Sequence, residues 1–217
     1  MRRACYILFP TLSKTYNLNP PRLVLASGSR YRAELLRRLQ IDFTIAVSSV
    51  DETPVPGESP MHTAARLARA KADAVSRAHP DAWIIGSDQV ADLDGVPINK
   101  PGSRGAAEAQ LARLSGQRVA FHTGVCLWAN GHAHERVVTT EVVYRSLTAT
   151  TIRRYLDLEP AFDCAGSAKS EGLGITLLSS MSTPDPTALV GLPLIALTEL
   201  LAKAGWSLPS AIRSTHP

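Results

Sequence analysis

Ala82-Trp83-Ile84-Ile85-Gly86-Ser87-Asp88-Gln89 is the stretch on which the reading of the fold turns. Trp83 to Ile85 is a short apolar run of the kind that forms a buried strand, and Gly86 predicts its end. Asp88 follows with a hydroxyl and an amide beside it. Open α/β sheets place their ligand crevice at the C-terminal edge of their strands, so an acid there is a candidate for chemistry. The plainer reading makes Asp88 a turn residue before Val90, since aspartate is common in turns. The rest of the chain has to decide between the two.

The chain has 217 residues, enough for one large domain or two lobes around a substantial core. Apolar residues make up 45% and charged residues 19%, the balance of an ordinary globular enzyme. The net charge of +4 is unevenly spread. Residues 1–38 carry eight basic side chains against Glu34 alone, a local +7 that leaves −3 for the remainder. A basic N-terminal stretch beside an acidic remainder fits a local anionic ligand better than a nucleic-acid surface. No apolar run reaches the roughly 18 residues of a membrane span. Arg2-Arg3 before an apolar run imitates a signal start, but Pro10 interrupts it and no small-residue cleavage site follows. Cys5, Cys126 and Cys164 have neither CxxC spacing nor paired histidine ligands, so they read as reduced thiols of a cytosolic protein. His132 and His134 can share a strand face, but in a polar turn they read as solvated rather than metal-bound.

In chain order, Leu23 to Ala26 is a short buried strand that runs through Ser27-Gly28-Ser29 into a helix over about residues 30–39. Small hydroxyl residues and a glycine between strand and helix leave backbone N–H groups free for phosphate, with Arg30 and Arg32 alongside. No Walker pattern is present, so this is not a P-loop, and Ser29 is equally an ordinary N-cap. Ile41 to Val47 is a second strand, followed by Asp51-Glu52 in a loop. Ser59 as N-cap and Pro60 at the first helical position open a helix to about residue 78. Its apolar stripe is read as Met61, Ala65, Ala68, Ala72 and Val75, with Lys71 flanking it, either reaching a cleft or lying on the surface. Asp94-Gly95 and Asn130-Gly131 mark hairpins, the second between strands at about 119–128 and 136–145. Asn99-Lys100-Pro101-Gly102 puts a lysine in a loop before a helix capped by Ser103. Another helix covers about 148–158. The glycine-rich stretch Cys164 to Gly174 holds one lysine and one glutamate, Lys169 and Glu171, and is either a flexible loop or a backbone that approaches a ligand closely. Leu192-Pro193 opens a final helix. Mixed strands and helices indicate α/β with an antiparallel component.

Leu25-Ala26-Ser27-Gly28-Ser29-Arg30-Tyr31-Arg32, Asp51-Glu52, Ala70-Lys71-Ala72, Ser87-Asp88-Gln89, Asn99-Lys100-Pro101 and Gly191-Leu192-Pro193 resemble, in order and spacing, the motifs of Maf-type nucleotide pyrophosphatases. The resemblance covers about residues 22–208. It implies an α/β fold like that of inosine triphosphatases, a two-lobed mixed β-sheet with flanking helices and a central cleft. Residues 21–209 would form that single catalytic domain, with 1–20 an extension without catalytic role and 210–217 a tail. It implies a cytoplasmic enzyme, expected as a homodimer, that splits a nucleoside triphosphate into monophosphate and pyrophosphate with a divalent cation, Mg²⁺ or Mn²⁺. Matched position by position, Asp88 is the expected catalytic base and Glu52 and Asp88 the metal ligands. Ser27, Ser29, Arg32, Lys71 and Lys100 are the expected phosphate-binding residues. Arg30 stands where the family usually has proline.

Tyr31, Gln89 and Glu171 resemble the family's base-selecting positions. The branch acting on dTTP and UTP has Arg, Thr and Gln there, whereas an aromatic, Gln and Glu resemble the branch acting on 7-methyl-GTP. The chemistry agrees. Methylation at N7 makes guanine cationic, which favours stacking on an aromatic face. A carboxylate such as Glu171 accepts hydrogen bonds from guanine N1–H and its amino group, and the positive charge strengthens both. In the expected mechanism Asp88 orients or deprotonates a water that attacks the α-phosphorus. Aspartates as a class are weak bases at neutral pH, so metal activation of the water carries more of the expected rate. Three alternatives remain at this stage. They are a nucleotide-binding regulator of cell division with little turnover, an RNA binder using the basic N-terminal stretch, and a pyrophosphatase for dTTP, UTP or a broad range of modified nucleotides.

Overall fold

A computed structural model describes residues 21–53, 55–210 and 212. The expectations for residues 1–20 and for most of 210–217 lie outside the described residues. A seven-stranded mixed sheet carries five α-helices: β1 (Leu23–Leu25), α1 (Arg30–Arg37), β2 (Phe43–Ile45), α2 (Pro60–Ser76), β3 (Trp83–Leu93), β4 (Val96–Ile98), α3 (Arg104–Leu114), β5 (Arg118–Ala129), β6 (His132–Tyr144), α4 (Ala149–Leu158), β7 (Leu178–Ser182) and α5 (Leu194–Lys203). The strand order is β2-β1-β3-β5-β6-β7, with β4 also on β3. β1 is parallel to β2 and β3, and every other pairing is antiparallel. Both hairpin turns form where Asp-Gly and Asn-Gly predict them. Asp94, Gly95, Asn130 and Gly131 all have positive φ, as a two-residue turn of this hand requires.

The largest departure from the sequence reading is at Gly86. It does not end the strand, because β3 continues through it to Leu93 as the long central strand. Its purpose is close approach. A Cβ on Gly86 would overlap the Ala68 carbonyl oxygen and come within 2.8 Å of the Ala72 nitrogen, and one on Gly124 would overlap the Ala64 carbonyl. The helix α2 therefore lies directly on the sheet at two glycines, one in β3 and one in β5. Its buried face is Ala64, Leu67, Ala68, Lys71, Ala72 and Val75. Met61 is exposed and Lys71 sits within the buried face, so the helix is rotated relative to the stripe read from the sequence. Gly86→Ala is expected to destabilise the protein by about 1–3 kcal/mol by lifting α2. Thermal unfolding checks this, and an unchanged midpoint would contradict the close packing.

The opposite face of the sheet carries two separate cores. β1, α1 and α5 contribute Leu25, Leu35, Leu36, Leu197 and Leu201 to one. α3, α4 and the far ends of β5 and β6 contribute Leu111, Leu114, Val119, Tyr144 and Leu156 to the other. Between them the strands present Ser87, Thr123 and Thr140, all fully buried, and Gln89. That polar seam lies between the two cores. β7 was not expected from the sequence. It is a five-residue edge strand, and four of its five side chains are exposed, so it carries little of the apolar alternation that marks a strand.

Candidate active site

The sheet is split beside β3. On one side of β3, β5 pairs continuously from Ile84 to Asp92. On the other, β1 pairs only with Trp83 to Ile85, and β4 only with Ala91 to Leu93. Residues between these two pairings, Asp88 among them, face a gap. The turn Ser27-Gly28-Ser29 leaves β1 at one end of it, and Asn99-Lys100 leaves β4 at the other. A register accident of two short strands thus brings the motifs at residues 27–32, 88 and 100 to one place.

Asp88 points to the α2 face, opposite Gly124, and is 7% exposed. Lys71, also 7% exposed, reaches it from α2 with Nζ 2.6 Å from Asp88 Oδ1 and 2.6 Å from Glu52 Oε1. A buried ammonium is retained only with such partners. The hydrogen bond from Lys71 holds the Glu52 carboxyl below its ordinary range against partial burial, and the charges of Lys71, Lys100 and Arg32 act in the same direction. Burial lowers the Arg32 guanidinium pKa, and the nearby Asp88 and Glu52 carboxylates oppose it. Three cations and two carboxylates therefore share one field.

Each arm of this cluster is fixed locally. Arg32 donates from Nε to the Gly191 carbonyl (2.8 Å) and from a terminal nitrogen to Ser27 Oγ (3.2 Å). The Ser87 hydroxyl lies 2.9 Å from the same Gly191 carbonyl, and Gly191 has φ +115°. Ser27 Oγ also accepts from the Ser29 amide (3.2 Å), and Ser29 caps α1 by accepting from the Arg32 amide (3.4 Å). Arg30 occupies the first position of α1, a place that suits proline equally well, so its replacement of the family's proline leaves the helix start intact.

The loop that carries Glu52 is tied to α2 by Glu58. Its carboxylate takes both Arg66 Nε (2.7 Å) and a terminal Arg66 nitrogen (2.8 Å), and Thr63 donates at 2.9 Å. Those contacts, led by Arg66, hold the Glu58 pKa at about 2 instead of 4.5. A depressed carboxyl stabilises the folded state above its unfolded pKa and loses that effect as pH falls towards the folded value. Glu58→Gln is expected to cost about 1–2 kcal/mol at pH 7 after allowing for partial solvent screening. The gap between variant and native protein, measured by denaturant titration, should narrow between about pH 5 and pH 2. A gap independent of pH would contradict the ion-pair account.

The three residues expected to select the base lie elsewhere. Gln89 faces away from Asp88, and its Nε2 lies 3.0 Å from Thr123 Oγ1 and from the Ala188 and Leu189 carbonyls. Tyr31 is half-buried on α1, and its hydroxyl donates to Asp163 Oδ2 at 3.3 Å. Glu171 is exposed in the glycine-rich segment, which is compact and built on two short 3₁₀ turns. Asp163 and Glu159 within this region, and the Glu58–Arg66 pair, were not singled out from sequence. Neither was Asp185, which is 1% exposed and accepts from the Ile195 and Ala196 amides at the start of α5. None of them sits in a motif with diagnostic spacing, and only their partners across the fold reveal them.

Among the described residues no three His, Cys, Asp or Glu side chains gather as a metal cage. Two carboxylates, Glu52 and Asp88, do converge on one cationic centre. That set fits Mg²⁺ or Mn²⁺, which commonly take one or two carboxylates and complete their shell with water and substrate phosphates. Burial pushes the Cys126 and Cys164 thiols up to about 12, so both are protonated and inert. No helix among the described residues is long and apolar enough to cross a membrane.

Several known proteins are similar to this chain along most of its length. A protein of Xanthomonas oryzae named 7-methyl-GTP pyrophosphatase is 56% identical over 189 residues, 87% of this chain and all of that protein. Proteins of the same name from Ralstonia nicotianae (53% over 193 residues, 88% of this chain and 99% of that protein) and Burkholderia pseudomallei (51% over 195 residues, 88% and 91%) are similar along their lengths. The profile of the Maf-like protein family matches residues 22–204, which takes in every residue of the Lys71 cluster, and the chain belongs to that family.

Proposed function

We propose that the cleft hydrolyses 7-methyl-GTP, or a nucleotide with a similarly modified base, to the monophosphate and pyrophosphate. The observation that carries this reading is the Lys71 ammonium held at 2.6 Å by both Glu52 and Asp88, with Arg32 and Lys100 within electrostatic reach. A triphosphate needs several cations, and a water attacking phosphorus needs a carboxylate among them. Arg32, Lys71, Lys100 and the N-terminus of α1 take the phosphate charge. Asp88 orients a water and receives its proton as the water oxygen bonds to the α-phosphorus, and the α–β anhydride oxygen departs with pyrophosphate. A divalent ion held by Glu52 and Asp88 would supply a Lewis acid on the phosphate oxygens. Tyr31 and Glu171 supply an aromatic face and a carboxylate for the base, and the names of the three relatives support the methylated purine.

Pyrophosphate release from 7-methyl-GTP, GTP, dTTP and UTP, each with and without Mg²⁺, tests the reading. The highest kcat/KM is expected for 7-methyl-GTP, and release is expected to need Mg²⁺. Preference for dTTP and UTP would transfer the protein to the pyrimidine branch, and tight nucleotide binding without pyrophosphate would make it a regulator.

A further inference from the structure

A second charged cluster links α1 to the segment that follows α4, at Tyr31. Its phenol hydroxyl bonds Asp163 Oδ2, while Lys169 Nζ pairs with Asp163 Oδ1 at 3.0 Å and donates to the Pro160 carbonyl at 3.3 Å. The Lys169 ammonium stands 5.8 Å from the Tyr31 ring centre, within cation–π range. Arg30, from Tyr31's own helix, lies 4.8 Å from that centre and donates to the hydroxyl at 2.8 Å. Lys169 is not on a loose flap. Its amide donates to Tyr155 Oη at 3.2 Å, and Glu159 accepts from the Gly174 amide at 3.0 Å. Gly172 has no room for a Cβ against the Glu159 carboxylate, nor Gly174 against the Lys169 backbone. The end of α4 therefore sets where Lys169 and, two residues on, Glu171 emerge.

Glu171 follows Lys169 by two residues, so a base that stacked on Tyr31 and bonded Glu171 would approach on the Lys169 side of the ring and compete with that ammonium. A neutral ring that displaces it strips Asp163 of its ion pair and Tyr31 of one of its two cations, leaving Arg30 in place. A ring carrying positive charge restores both. We infer that Asp163 and Lys169 are specificity-determining residues, with Lys169 the resident cation that a positively charged base displaces from Tyr31 and Asp163. This rests on the substrate reading above and gives it a physical basis beyond Glu171: selectivity by exchange of one cation for another.

The test is kcat/KM and KM for 7-methyl-GTP and GTP with the full chain, its Asp163→Asn variant and its Lys169→Met variant. Asp163→Asn is expected to lower the ratio of kcat/KM for the methylated over the unmethylated nucleotide by about tenfold. Partial unfolding cancels in that ratio, because both substrates use the same phosphate-binding residues. Lys169→Met removes the competing cation and is expected to lower KM for both nucleotides by about threefold. A lysine that merely held the segment in place would raise both. A native ratio in Asp163→Asn, or raised KM values in Lys169→Met, would overturn the exchange while leaving the pyrophosphatase reading intact. Equal use of the two nucleotides by the native protein would instead overturn the substrate assignment and the exchange with it.

Discussion

Asp88→Asn is expected to slow pyrophosphate release by about 10²–10⁴-fold, the usual loss when a positioned proton acceptor is removed. Nucleotide affinity should stay the same or rise. The native carboxylate repels the triphosphate it serves, and the amide does not. Folding should be little affected, because the buried Lys71 ammonium keeps Glu52 at 2.6 Å and the asparagine fills the same space opposite Gly124. The combination of low kcat with unchanged or lower KM separates loss of chemistry from loss of structure. A variant that keeps kcat within about threefold of native would remove Asp88 from the reaction.

Lys71→Met should be the more damaging to stability. Methionine matches the lysine stem where α2 packs on the sheet but leaves two carboxylates facing each other with only Arg32 and Lys100 to moderate them. Breaking a buried pair in this way costs about 3–5 kcal/mol, and the exposure of Glu52 places the expected loss near the lower figure, about 3 kcal/mol. Activity should fall as well, since the cation bonded to Asp88 is gone. Other cations can partly replace it. Glu52 loses the contact that most strongly holds its pKa down, so it takes up a proton more readily and the folded variant gains stability relative to native as pH falls below the ordinary glutamate value of about 4.5. Millimolar Mg²⁺ should raise the thermal midpoint of Lys71→Met more than that of the native protein. A deficit that ignores both pH and Mg²⁺ would mean that Lys71 contributes packing alone.

Much of this was legible in the sequence, for identifiable reasons. Caps and turns depend on residues close in the chain, so Ser59-Pro60, Asp94-Gly95 and Asn130-Gly131 were read where they occur. Glu52, Lys71 and Asp88 stand in three separate motifs of the sequence, and the structure brings the three side chains into contact. Gly86 was misread because a glycine that ends a strand and one that admits a helix are the same letter. Only the position of Ala68 and Ala72 against it tells them apart. The sequence does not decide between cleft and surface for Lys71, because a stripe of alanines fixes the rotation of α2 only to about one residue, and that residue decides burial. The split beside β3 was invisible, since it depends on where β1 and β4 stop pairing. Asp163, 132 residues from Tyr31, carries no local signal at all.

Hydrolysis of 7-methyl-GTP in water enriched with oxygen-18 tests the central claim most directly, because it reports which phosphorus the water attacks. With Asp88 directing water to the α-phosphorus, all the label should appear in 7-methyl-GMP, with one unlabelled pyrophosphate released per nucleotide. Label in pyrophosphate, or orthophosphate as the product, would contradict the account.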